Sequence, residues 1–166
     1  MSDSTTTIKR YERTSETKLI ELSAKKPYEQ VLIDFEKQLG RFDQDAAMKA
    51  SDLEATIQSM TGELGLMIIH VLEMSALLPS LASAETRARQ YLIGNPLIAS
   101  QMAKFDPRAA LFAPPRVLIH SNGDDTHITF EKPSTTFGRL FNPLIDETAI
   151  MLDDKFETLV QKALSP

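Results

Sequence analysis

Residues 115–132 read PRVLIHSNGDDTHITFEK. Two runs rich in β-branched and aromatic residues, RVLIH and THITFEK, flank SNGDD, and Asn-Gly between such runs is the strongest short hairpin signal. Side chains alternate along a strand, so a hairpin closed near Asn122-Gly123 sorts them onto two faces. Two registers fit. One pairs His120 with Asp125, the other pairs His120 with His127. In both, Val117, Ile119, Ile128 and Phe130 share one face, while Arg116, Leu118, His120, His127 and Thr129 share the other. An antiparallel pair among irregularly interleaved strands and helices predicts an α+β domain: a largely antiparallel sheet with helices on one face.

Upstream, YLIGNPLIAS (91–100) breaks an apolar run at Gly94-Asn95-Pro96. Asn95 suits a helix N-cap and Pro96 the first helical position. Gly94 is expected to supply the free backbone angles needed to leave the strand. Aspartate at position 95 is expected to cap equally well. Asp106-Pro107 repeats the device, opening a turn through Leu111. Asn142-Pro143 opens the last helix, whose inward stripe is Ile145, Ala149, Leu152, Phe156, Val160 and Ala163.

Pro27 starts another helix, with Tyr28, Val31, Leu32, Phe35 and Leu39 at helical spacing and Gly40 where a left-handed C-cap belongs. Ser51 and Glu54 have capping-box spacing for a short helix running toward Gly62. Thr17–Ser23 alternates as a strand with Leu19 and Ile20 inward. Leu66–Leu72 is an apolar run of strand length, and Ala88–Ile93 is a further strand. Ile8–Arg13 alternates weakly, and residues 41–50 read as a charged connector. The organisation expected is a polar tail and weak first strand over residues 1–16, then one domain over 17–164.

A chain of 166 residues with 42% hydrophobic and 25% charged residues has ordinary globular composition. Its net charge of −5 speaks against a sequence-independent grip on nucleic acid and against docking on an anionic membrane. With no cysteine, disulfides, thiolate catalysis and cysteine-ligated metals are excluded. No apolar run approaches the roughly 18 residues that span a bilayer, and the opening MSDSTTTIKRYER has no secretory apolar region. A cytoplasmic protein is expected.

Three places could carry chemistry. The turn at Gly94-Asn95 leaves backbone N–H groups that can hold an anion, although capping explains the same residues. His120 and His127 on neighbouring strands, with Asp125 near, could ligate zinc or another borderline metal; a solvated polar face is the plainer alternative. His70, with Met74 four residues on, has side chains that can ligate haem iron, whereas core packing explains them more simply. No Ser-His-Asp or paired-carboxylate arrangement can be drawn.

The stretch RQYLIGNPLIASQMAKFDPRAALFAPPRVLIHSNGDDTHITFEKPSTTF resembles the core pattern of the domain-of-unknown-function 302 family. That pattern runs from a strand ending in Gly-Asn-Pro through a helix, an Ala/Leu-rich turn, a proline, a strand like RVLI and a hairpin to Tyr-x-x-Pro-Ser. Gly94, Asn95, Pro96, Pro114, Pro115, Arg116, Pro133 and Ser134 match it, and Phe130 stands where tyrosine is frequent. The resemblance spans residues 17–164, is densest over Arg89–Phe137 and fades over 41–60. Relatives often carry Asp or Asn, then His, then Gly after a strand like GLMII, where this chain has Glu73-Met74-Ser75. The resemblance implies a self-associating α+β fold with no agreed activity. The expected function is therefore a non-catalytic homodimeric domain that binds a small ligand or a partner, with Gly94, Asn95, Arg116, His70 and Met74 as the ligand set. A haem or divalent-metal protein is the alternative.

Overall fold

The computed structural model describes residues 8–81 and 86–166, and the tail expected at 1–7 lies outside them. Among the described residues one six-stranded sheet is formed by β1 (Leu19–Ala24), β2 (Gly40–Arg41), β3 (Met67–Glu73), β4 (Thr86–Gly94), β5 (Arg116–Asn122) and β6 (Asp125–Glu131). Its strand order is β1-β6-β5-β4-β3-β2. Every pairing is antiparallel except the short β2–β3 pair, which is parallel. The helices are α1 (Tyr28–Glu36), α2 (Gln44–Lys49), α3 (Leu53–Ser59), α4 (Met74–Leu77), α5 (Pro96–Ala103), α6 (Pro133–Gly138) and α7 (Asp146–Leu164). The fold class is α+β, as the hairpin implied. No helix among the described residues is long and apolar enough to cross a membrane.

The hairpin takes the second register: His120 lies opposite His127 and Asn122 opposite Asp125. Its two-residue loop is therefore Gly123-Asp124, one residue later than an Asn-Gly loop, with Gly123 at φ 64°. A glycine with positive φ at the first loop position matches the twist of the flanking strands. Val117, Ile119, Ile128 and Phe130 are all buried, as their shared face predicts.

One face of the sheet packs on α1 and α7. Tyr28, Val31, Leu32 and Phe35 of α1 are buried, and so is the whole predicted stripe from Ile145 to Ala163. Phe35 meets Tyr91 with ring centroids 5.1 Å apart, and Phe130 meets Phe156 at 5.7 Å. Lys26 pairs with Asp34 at 2.7 Å and donates to the Ala163 carbonyl, joining the end of β1 to α1 and to the last turn of α7. Hydrogen bonds from Lys26, then Lys37 and Gln30, hold the Asp34 carboxyl well below the usual carboxylate range.

Several local expectations are corrected. Ile8–Arg13 forms no strand. In β1 it is Ile20 and Leu22 that pack inward, while Leu19 is 69% exposed. Asp52, not Ser51, caps α3, its carboxylate accepting from the Ala55 N–H at 3.0 Å. The charged connector holds β2 and α2, and α6 follows Lys132 unannounced, with Pro133 in its first turn. Gly40 is not a left-handed cap: α1 is closed by Lys37 at φ −63°. Gly40 instead sits in β2 with the Met60 carbonyl against it, where a Cβ would fall 1.6 Å from that oxygen. The position needs absence of a side chain rather than freedom of φ.

Candidate functional site

The Gly94-Asn95-Pro96 turn forms the rim of an apolar cleft of about 230 Å³. Five parts of the chain build it, one of them Phe42, just after β2. β4 delivers the turn, and α5 presents Ile98, Ala99 and Met102. Ala113, Pro114 and Pro115, with a cis Ala113–Pro114 peptide, form a second wall. Phe137 of α6 with Leu152 and Phe156 of α7 close the floor. The remaining part is a β-bulge: Ile68 pairs with Ile93 and His70 with Leu92, leaving Ile69 unpaired and facing the cleft. Bulges re-aim side chains in this way. Gly94 itself pairs with Met67 and does not adopt positive φ, so its expected role as a free-angle residue is not the one it has.

Among the described residues Asn95 is the only cleft-lining one with a polar side chain, and that side chain is already engaged. Its Oδ1 accepts from the Leu97 N–H at 2.8 Å, the cap expected from sequence. Its Nδ2 donates to the Gly65 carbonyl at 2.9 Å, tying the loop before β3 to the start of α5. This second bond overturns the expectation that aspartate would serve equally, because a carboxylate there would face a carbonyl oxygen with no proton between them. Asn95→Ala should cost about 1–2 kcal/mol, the cap plus part of the tether. Asn95→Asp should cost at least as much despite keeping the cap. Urea unfolding of the two variants checks the order, and an aspartate variant as stable as the parent would show that the tether contributes nothing.

The remaining residues of the expected ligand set scatter. Arg116 is exposed and lines a neighbouring cavity with Leu92, Glu131 and Arg139, on the other side of the Ala113–Pro115 wall. Arg139 is engaged there by Glu131 and Thr17. His70 is exposed, not a core residue. The bulge at Ile69 explains why: without it His70 would share the inward side of Ile68, and with it Val71 turns in instead. Met74 begins α4. Extended backbone from His70 to Met74 covers about 13 Å, so the two are not brought together around one iron. Of the motif that departs from relatives, Glu73 binds Arg89 at 2.8 Å and Ser75 Oγ accepts from the Ala88 N–H at 2.7 Å. Both serve the β3–β4 junction.

The two hairpin histidines do come together. Their rings stack with centroids 4.9 Å apart and planes 6° from parallel. Asp125 pairs with Asn122 at the loop and is not the nearby acid. That acid is Glu21 of β1, 3.5 Å from His127 Nδ1 and 3.8 Å from His120 Nε2. Sequence reasoning missed Glu21, which lies some hundred residues from the hairpin and meets it only through the β1–β6 pairing. Burial, then the neighbouring His127, holds the His120 imidazole below its ordinary value.

Together these features define a small α+β domain with one mixed sheet, an apolar cleft at a strand-to-helix turn and an imidazole–carboxylate cluster on the sheet. The chain belongs to the DUF302 family, a domain of unknown function, whose pattern matches residues 42–163. Its fold is similar to the crystal structure of an uncharacterised conserved DUF302 protein from Bacillus stearothermophilus. The two share 12% identity with a TM-score of 0.65, over 87% of this chain and 97% of that one. No curated protein matches the sequence.

Proposed function

We propose that this DUF302 domain is a non-catalytic binding protein that takes a small apolar ligand in the cleft beneath Gly94-Asn95-Pro96 and works as a homodimer. One observation carries the ligand reading: among the described residues the lining contains no titratable side chain, and its one polar side chain already has both partners. Such a cavity offers dispersion contacts and exclusion of water, with no group to accept or give a proton. Its volume, below the usual range for small-molecule sites, suits an aromatic ring or a short acyl chain. The homodimer follows the family resemblance, and Leu72, Leu92 and Leu118 on the sheet face opposite the inward-facing Val71, Tyr91 and Val117 agree with it.

Indole provides a probe of suitable shape. Its titration, followed by methyl resonances, should shift Ile98 and Met102 saturably, and Ala99→Phe, which fills the cleft, should abolish the shift. No saturable shift up to the solubility limit of indole would end the ligand reading. Light scattering at micromolar concentration should give twice the 18.5 kDa of one chain. A monomer there would remove the dimer.

A further inference from the structure

The Glu21–His120–His127 cluster is independent of the cleft, and it has the composition of a metal site. Its three residues come from three adjacent strands, β1, β6 and β5, so the sheet holds their backbones in fixed relation. One ligand atom from each lies within 4.8 Å of the other two. A second observation points the same way: His127 Nδ1 is buried and has no hydrogen-bond partner among the described residues. A buried ring nitrogen without a partner costs free energy. Glu21 lies close to it, but the geometry makes no hydrogen bond. Glu21 itself is held by a further contact, its Oε2 accepting from Thr129 Oγ1 at 3.1 Å. Metal-binding carboxylates commonly have such support.

We propose that Glu21, His120 and His127 form a binding site for a borderline first-row divalent cation, with Zn²⁺ as the type. Two imidazoles and one carboxylate select this class over Mg²⁺ or Ca²⁺, which take oxygen ligands. Zinc bonds of about 2.0–2.2 Å set tetrahedral ligand atoms about 3.3 Å apart. The imidazole nitrogens lie 3.5 Å (His127 Nδ1 to Oε1) and 3.8 Å (His120 Nε2 to Oε2) from the two Glu21 oxygens. The one-per-residue ligand atoms all fall within 4.8 Å of one another, so closing to the zinc spacing takes movement of side chains rather than of the sheet. The stacked rings must turn about their Cβ–Cγ bonds to bring both lone pairs onto one ion, a soft torsion for histidine. With His120 and His127 side chains 28% and 22% exposed, the cluster opens to solvent on one side. Three protein ligands leave the fourth position for water or an incoming donor, the pattern of an open rather than a closed zinc site.

The test uses the full chain, purified without a polyhistidine tag, stripped with a chelator and dialysed. Calorimetric titration with Zn²⁺ should show one ion per chain, and Mg²⁺ should show none. The melting temperature should rise with Zn²⁺ concentration. Glu21→Gln and His127→Gln should each weaken Zn²⁺ binding at least tenfold, while Asp125→Asn and His70→Gln leave it unchanged. Circular dichroism without metal confirms that each variant folds. Co²⁺ supplies a second readout that does not depend on stability: the parent should show visible d–d absorption that His127→Gln loses. Absence of Zn²⁺ binding by the parent, or equal binding by parent and His127→Gln, overturns the site.

Discussion

Gly40→Ala is expected to be among the most damaging single-methyl changes in this protein, costing about 3 kcal/mol or more. The added Cβ would lie 1.6 Å from the Met60 oxygen, 2.7 Å from the Met60 carbonyl carbon and 2.9 Å from that of Thr61. All three are backbone atoms, so no side-chain rotation relieves the overlap. Either β2 must leave β3 or the 60–62 turn must move. The first route breaks the bonds from the Gly40 N–H to Leu66 and from the Phe42 N–H to Ile68. The second disturbs Gly62, whose own Cβ would sit 2.3 Å from the Gln38 oxygen. Because Phe42 lines the apolar cleft, the first route also opens its wall. Gly138→Ala is the control: a Cβ there meets nothing within 4 Å among the described residues, and φ is not positive. It should be neutral or stabilise by about 0.5–1 kcal/mol. Urea midpoints of the two variants decide the matter, and equal midpoints would remove the close-approach explanation.

Phe156→Ala should cost about 3–5 kcal/mol. The ring is fully buried on α7, tilted 44° against Phe130, and it forms part of the cleft floor. Truncation removes its transfer free energy and leaves a void that the β-sheet and α7 cannot collapse around without bending. At about 2–4 °C per kcal/mol for a chain of this length, melting should fall by about 10 °C. The void would join the existing cleft, and an enlarged apolar cavity binds apolar solutes such as benzene. Benzene should therefore raise the melting temperature of the variant more than that of the parent. A stability loss below about 1 kcal/mol would mean that α7 does not pack on the sheet as described.

The elements legible in the sequence are those whose cause is local. Three Asx-Pro pairs, at Asn95, Asp106 and Asn142, each announced a cap, and each side chain accepts from the N–H two residues on. That geometry needs only the neighbouring backbone. Asn142, however, caps a short 3₁₀ turn at Pro143–Ile145 and not the last helix expected there, α7, which begins at Asp146. The stripe of α7 and the apolar faces of α1 and the hairpin were equally plain, since periods of 3.6 and 2 are carried by the residues themselves. The family pattern over Arg89–Phe137 depended on the same short-range order, and the match over residues 42–163 contains it.

What only the tertiary structure decided lies where distant segments meet. Alternation along β3 predicts that His70 faces inward with Ile68, and nothing local marks the bulge at Ile69 that reverses it. Bulges depend on how the strand fits its partner and the cleft beside it. Gly40 was correctly singled out and wrongly explained, because its constraint is the Met60 carbonyl twenty residues away. Asn95 was read as a cap but not as a tether, since Gly65 approaches it only after β3 and β4 pair. The hairpin alone suggested Asp125 as companion of its histidines and gave no sign of Glu21. β1 supplied it, by pairing Glu21 with Thr129 and so bringing a carboxylate beside both rings. Periodicity and capping are written in nearest neighbours, whereas the cleft and the imidazole–carboxylate cluster come from strand order and register, which long-range packing sets.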